Sequence, residues 1–221
     1  LLKGIIVQSG NDASVALAEH VAGTEAAFAD LMNAQAVALG MNQTHFMNAT
    51  GWPHEQHYST ARDIALLSRA LIRDYPQHYH WYAEREYTYN DIPQYNRNRL
   101  LWRDESVDGI KTGHTEKAGY CLAASAEREG MRLISVVLGA ASDNARSEAS
   151  LALLNYGFRF FETHKLYSAN KALTQARVWG GAATEVPLGL AKDLYVTIER
   201  GRYDDLIAEM ELLPELDAPV A

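Results

Sequence analysis

The stretch Val107-Asp108-Gly109-Ile110-Lys111-Thr112-Gly113-His114, with the runs Gly119 to Glu127 and Met131 to Ala140 behind it, decides the fold. The first segment reads as a strand. The other two are β-rich and joined by Arg128-Glu129-Gly130, a hairpin signal. Working outward, the period changes on both sides. Upstream, Asn11 or Asp12 can cap a helix running to about Val21, with Ala13, Ala16, Leu17 and Val21 at helical spacing. Thr24 can cap a second helix carrying Phe28, Leu31, Met32 and Leu39, which Gly40 ends. Residues from Met41 to Tyr58 read as a loop. Ser59 or Thr60 starts a third helix with Ile64, Leu67, Leu71 and Ile72 apolar and Pro76 just beyond it. Glu86-Tyr87-Thr88-Tyr89-Asn90 alternates as a strand. Downstream, Ser142 to Glu162 returns to helix, with Leu151, Leu154, Tyr156, Phe158 and Phe161 as apolar bulk. From about Lys165 the texture is short strands at Ala176 to Trp179, Glu185 to Leu188 and Leu194 to Glu199.

The expected fold class is therefore α+β, helices around an antiparallel sheet over residues 1–164, followed by the start of a β-rich second domain over 165–221. At 48% hydrophobic and 22% charged residues, the composition is that of a globular protein and argues against disorder. A net charge of −8 argues against a general nucleic-acid binder, which carries a basic face. The longest near-continuous apolar run, Leu133 to Ala141, is far short of the about 20 residues a membrane span needs. One cysteine, Cys121, excludes an internal disulfide and a Cys-based zinc site. The eight histidines include His54-Glu55-Gln56-His57 and His78-Tyr79-His80, neither with a zinc-enzyme spacing. The opening Leu1-Leu2-Lys3-Gly4-Ile5, without Met or a visible signal peptide, is expected to lie inside a longer or processed protein.

Two short motifs carry chemistry. Ser9-Gly10-Asn11 stands directly before a helix, and Lys111-Thr112-Gly113 lies in the strand. Each alone is weak. Together they are two of the three elements of penicillin-recognising serine enzymes, in which S-x-x-K supplies the nucleophile. The surrounding segments Ile6 to Ala13, Ser59-Thr60-Ala61-Arg62-Asp63, Asn96 to Trp102, Val107 to Thr115 and Tyr156 to Glu162 follow in order. Across essentially the whole chain the sequence resembles the low-molecular-mass penicillin-binding proteins that are D-alanyl-D-alanine carboxypeptidases of the bacterial cell envelope.

That resemblance implies a serine attack on the terminal D-Ala-D-Ala bond of a peptidoglycan stem peptide, an acyl-enzyme, and its hydrolysis. It implies that Ser9 relays a proton to the leaving amine, and that Asn11 holds the substrate amide and orders the lysine of S-x-x-K. Lys111 and Thr112 fit the substrate carboxylate as point charge and hydroxyl donor, and Arg97 offers it a planar fork. Gly113 lets the substrate backbone lie close, and the backbone N–H of His114 matches an oxyanion-hole donor. Arg99, two residues from Arg97, is the rival for its role, and Asp63 reads as a first-turn helix acid.

The family nucleophile precedes the Ser-x-Asn element by tens of residues, so it is expected outside this chain, which begins just before Ser9. The one S-x-x-K string, Ser168-Ala169-Asn170-Lys171, follows Lys111 and lies in a polar boundary, and is rejected. Glu86 to Asn90 spells the E-x-x-x-N of a β-lactamase deacylation loop, but alternates as a strand. The aromatic-rich stretch from Tyr75 to Tyr89 is expected to cover a domain edge. No metal or organic cofactor is implied. The resemblance implies β-lactam antibiotics as covalent inhibitors of the full-length protein, no nucleic-acid partner, and a place on the periplasmic face of the inner membrane. Membrane contact is expected only through a C-terminal anchor beyond Ala221. The rival functions are a β-lactamase of the same fold and a non-catalytic peptidoglycan-binding module.

Overall fold

In the computed structural model, which describes residues 1–212 and 215–219, the chain begins with a π-helical turn, Gly4–Gln8, that buries Ile6 and Val7. The turn closes through Ser9 in the left-handed region at φ 63°, with the N–H of Ser9 donating to Ile5 O at 3.1 Å and that of Gly10 to Gly4 O at 3.1 Å. Helix α1 (Asn11–Ala22) follows. The expected side-chain cap is corrected here: Gly10 occupies the N-cap position, no side chain caps the helix, and Asn11 is its first residue. The reversal at Ser9 already sets the entry angle, and the Asn11 carboxamide makes no capping bond.

Helix α2 (Glu25–Ala38) is capped by Thr24, whose hydroxyl oxygen accepts the Ala27 N–H at 3.1 Å. Gly40 at φ 75° turns the chain out of it, as the sequence predicts. The segment 41–58 is loop apart from one bridge, His45 to Tyr58. Helix α3 (Ala61–Asp74) is capped by Thr60. Asp63 is buried, and its carboxylate accepts from the Gln43 N–H at 2.9 Å and the Thr44 hydroxyl at 2.7 Å, stapling loop to helix. Its role is thus structural, though carried by tertiary bonds more than by the helix dipole.

After the short helix α4 (Pro76–Tyr79) come strands β1 (Glu86–Tyr89) and β2 (Ile92–Tyr95), a hairpin turning through Asn90 and Asp91 at φ 50° and 60°. The sequence reading found β1 but not its partner, because Pro93 masks β2; on a two-stranded hairpin Pro is tolerated at the free edge. A four-residue helix α5 (Leu100–Arg103) leads into the central sheet.

Strands β3 (Val107–Thr115), β4 (Gly119–Arg128) and β5 (Met131–Ala140) are antiparallel in the order β3-β4-β5, so β3 is an edge. The register pairs Lys111 with Ala123, Thr112 with Leu122 and Gly113 with Cys121. Glu129 and Gly130, at φ 50° and 77°, make the β4–β5 turn at the expected place. Leu122, Ala124, Ser125 and Ala126 are buried. On one face, Ile64, Leu71 and Ile72 of α3 pack with Tyr82 and Val136 against Tyr79, Ile110 and Ala123. A Cβ at Gly109 would lie 2.6 Å from the Tyr79 hydroxyl, so only glycine admits that tyrosine.

Helix α6 (Asp143–Phe160) buries Arg146, Ser147, Ser150 and Leu154. The apolar bulk expected of it is only partly inside: Leu154 is buried, while Tyr156 is 59% exposed. The helix instead approaches the sheet on small residues, and a Cβ at Gly157 would collide with Leu133 Cδ1.

The chain divides into two compact units, Leu1–Gly157 and Phe158–Ala221. In the second, β6 (Phe161–Tyr167) pairs with β9 (Leu194–Glu199), while β7 (Ala172–Trp179) lies between β8 (Glu185–Gly189) and β10 (Glu215–Asp217). Helix was expected to run on to Glu162. Strand replaces it from Phe161 because distant pairing with β9 overrides local pattern, with the Thr163 and Thr197 hydroxyls bonded across the ladder at 2.9 Å.

Candidate active site

An open cleft of about 1370 Å³ lies within the first unit. Its walls bring together Ser9, Asn11, Arg97, Lys111, Thr112, Gly113 and His114, the residues expected to act on the substrate. Three local devices position them. The π-turn aims Ser9 from one side. Edge strand β3 carries Lys111 to His114 along another. The third is the run Asn96-Arg97-Asn98-Arg99-Leu100, which alternates buried, exposed, buried, exposed, buried. Asn96 Nδ2 donates to Glu84 O at 2.9 Å, and Asn98 Nδ2 donates to Gly109 O at 2.9 Å. Asn98 Oδ1 also accepts the Leu100 N–H at 3.2 Å. Two sunken asparagines thus hold Arg97 out on the cleft wall.

Arg97 makes no ion pair among the described residues, whereas Arg99 pairs with Asp143 at 2.8 Å. The ion pair on this run is thus made by Arg99 and not by Arg97. Lys111 Nζ donates to Ser9 Oγ, and to Thr112 O at 2.9 Å. Burial of its ammonium, then the charges of Arg97 and Arg146, lower its pKa from 10.5 to about 8. Ser9 thereby couples to a lysine that can hold or release a proton near neutrality. Its left-handed backbone is the kind of outlier that persists where the surroundings over-determine it. The His114 ring packs on Tyr120 with centroids 4.0 Å apart, leaving the backbone as its expected contribution.

Charge in the cleft opposes that of the chain. Arg97, Arg99, Lys111, Lys117 and Arg146 stand against Glu116 and Asp143 on its walls, in a protein of net charge −8. Such a site receives an anion. Arg146 was not found by sequence reasoning. It is 5% exposed, its Nη1 donates to Gly113 O at 3.0 Å and Cys121 O at 3.2 Å, and it pairs with Asp143. From sequence, Asp143 and Arg146 look like any i,i+3 pair on a helix surface. The lip formed by Ala49 to Pro53, with Trp52, was likewise read only as loop.

Ser168 to Lys171 lie in a turn between β6 and β7 of the second unit, with Asn170 at φ 54°, not at a helix start. Glu86 is exposed on β1 and does not line the cleft. Tyr79 from the aromatic stretch is buried against Ile110, not at an edge. Among the described residues, no group of three or more His, Cys, Asp or Glu is gathered to hold a metal, and no helix is long and apolar enough to cross a membrane.

A family model described as D-alanyl-D-alanine carboxypeptidase matches residues 1–142, and one described as penicillin-binding protein 5, C-terminal domain, matches residues 161–221. The chain is 50% identical over 222 residues to D-alanyl-D-alanine carboxypeptidase DacA of Escherichia coli (strain K12), covering 100% of this chain and 55% of that protein. Thus it spans about half the length of such relatives. Penicillin binding protein 5 from Haemophilus influenzae is similar in structure, with TM-score 0.88 and 44% identity over 99% of this chain and 64% of that one. Penicillin-binding protein D2 from Listeria monocytogenes, in its ampicillin-bound form, is similar with TM-score 0.66 and 35% identity over 71% of this chain and 65% of that one.

Proposed function

The chain belongs to the D-alanyl-D-alanine carboxypeptidase family, and from that premise we propose that the protein carrying it removes the terminal D-alanine of peptidoglycan stem peptides through a serine acyl-enzyme. The observation that carries this reading is the bond from Lys111 Nζ to Ser9 Oγ, inside a cationic cleft edged by β3. The substrate enters as an extended peptide along that edge strand. Its terminal carboxylate meets Arg97, the Lys111 ammonium and the Thr112 hydroxyl, a planar fork, a point charge and a hydrogen-bond donor. Gly113 offers no side chain against the substrate backbone. The His114 N–H assists the oxygen that becomes negative as the acyl carbon turns tetrahedral.

When the acyl carbon–nitrogen bond breaks, D-alanine leaves as an amine and needs a proton. Ser9 can deliver its hydroxyl proton to that nitrogen and recover one from Lys111, whose lowered pKa makes it a ready donor. Asn11, with its carboxamide free of any helix cap, can hold the substrate amide. The acylating serine and its lysine belong to the S-x-x-K element expected ahead of Ser9, so the complete protein is the material to test. β-Lactams are read as covalent inhibitors that occupy the same cleft, and the periplasmic face of the inner membrane as the place of action.

The test is release of D-alanine from Nα,Nε-diacetyl-L-Lys-D-Ala-D-Ala by the complete protein. Release that falls at least about a hundredfold in Lys111→Ala supports the reading. Binding of the peptide without release would favour a non-catalytic module, and rapid turnover of penicillin a β-lactamase.

A further inference from the structure

The cationic wall answers the substrate's carboxylate, and the Ser9–Lys111 pair answers its scissile bond. Neither explains the lip formed by Ala49, Thr50, Gly51, Trp52 and Pro53. Trp52 is 69% exposed, a large apolar surface left in water at the rim of a polar cleft. The backbone that carries it is pinned. Asn48 Oδ1 accepts the N–H of Gly51 at 2.8 Å and of Trp52 at 2.9 Å, and Asn48 Nδ2 donates to Trp52 O at 2.9 Å. Ala49, three residues earlier, is tied down too, since its N–H donates to Glu25 Oε1 on α2 at 3.0 Å. Further back, the Asn33 side chain brackets Phe46, taking its N–H at 2.7 Å and giving to its O at 2.8 Å.

We propose that Trp52 is a specificity-determining residue, forming an apolar wall for the aliphatic side chain of the residue that precedes the D-Ala-D-Ala pair. The proposal rests on the carboxypeptidase reading of the same cleft. A peptide lying along β3 with its carboxylate on Arg97 and Lys111 has its scissile bond beside Ser9. What remains inside the cleft is the residue before the pair, which in the lysine test peptide carries a run of methylenes. An indole carried on so pinned a backbone has only two side-chain torsions to fix when it covers those methylenes. A long aliphatic stem then gains contact where alanine gains none.

The experiment measures kcat and KM of the complete protein on two peptides, Nα,Nε-diacetyl-L-Lys-D-Ala-D-Ala and acetyl-L-Ala-D-Ala-D-Ala. Trp52→Ala is expected to lower kcat/KM about tenfold on the lysine peptide, with a loss at least about fivefold smaller on the alanine peptide. The change should fall mainly on KM, and Trp52→Phe should recover most of it. Equal losses on both peptides, or recovery by no aromatic, would overturn the proposal and leave Trp52 a loop or sugar-facing residue. No loss on either would overturn it as well. If the wild-type protein releases D-alanine from neither peptide, the carboxypeptidase reading falls first and takes this inference with it.

Discussion

Replacing Lys111 by Met should stabilise the fold near neutral pH while removing the chemistry. The ammonium sits largely out of water beside Arg97 and Arg146, and its pKa drops from 10.5 to about 8. A lowered pKa means the folded chain binds fewer protons than the unfolded one between those values, so folding gains stability as pH rises through that window and lacks it below. At about 1.36 kcal/mol per unit, the charged lysine costs about 3 kcal/mol at pH 7 and about 1.4 kcal/mol at pH 9.5. Its bonds to Ser9 Oγ and Thr112 O return about 1 kcal/mol each and do not depend strongly on pH. Lys111→Met is thus predicted to gain about 1 kcal/mol over wild type at pH 7, and to lose that advantage by pH 9.5. Urea denaturation of both proteins at the two pH values measures it, and the subtraction cancels Tyr79 and Tyr82, whose pKa values burial raises. A stability difference that stays flat, within about 0.5 kcal/mol, would refute the placement of a buried charge at Lys111.

Three further outcomes follow from the same geometry. If the Lys111 cation binds the carboxylate, kcat/KM should fall on the alkaline side with an apparent pKa of about 8, and a pH profile that instead rises there would assign the residue to base chemistry alone. Asn98→Ala leaves the Gly109 carbonyl and the Leu100 N–H without their partner and should cost about 2 kcal/mol in urea, with KM rising as Arg97 loses its footing. Gly109→Ala sets a methyl 2.6 Å from the Tyr79 hydroxyl and should cost about 1–3 kcal/mol, which a thermal melt against wild type would detect.

Much of this site was legible in the sequence because its parts are short and local. Lys111, Thr112 and Gly113 sit on a strand whose alternation and hairpin are written nearby, and Ser9 and Asn11 at a helix start. The neighbours that tune them were not legible. Arg146 reads as a helix surface charge, and only the packing of α6 on the sheet carries it inside to Gly113 O. Trp52 reads as loop, because the bonds that fix it come from Asn48 and, through Ala49, from α2. The same limit applies to the fold. Thr24 and Thr60 cap their helices as the local signals say, since a cap needs only three residues. Phe161 leaves its helix for a strand because its partner, Glu199, is remote in sequence.

The proposed function requires the Ser9–Lys111 cleft to serve a serine acyl-transfer enzyme. Intact mass of the complete protein after benzylpenicillin tests it most directly, on wild type and on Lys111→Ala. One persistent penicilloyl adduct is expected on the wild type, formed at least about a hundredfold more slowly in the variant. No adduct on the wild type with the drug left intact, or labelling at Ser168, or equal rates in the two proteins, would contradict it.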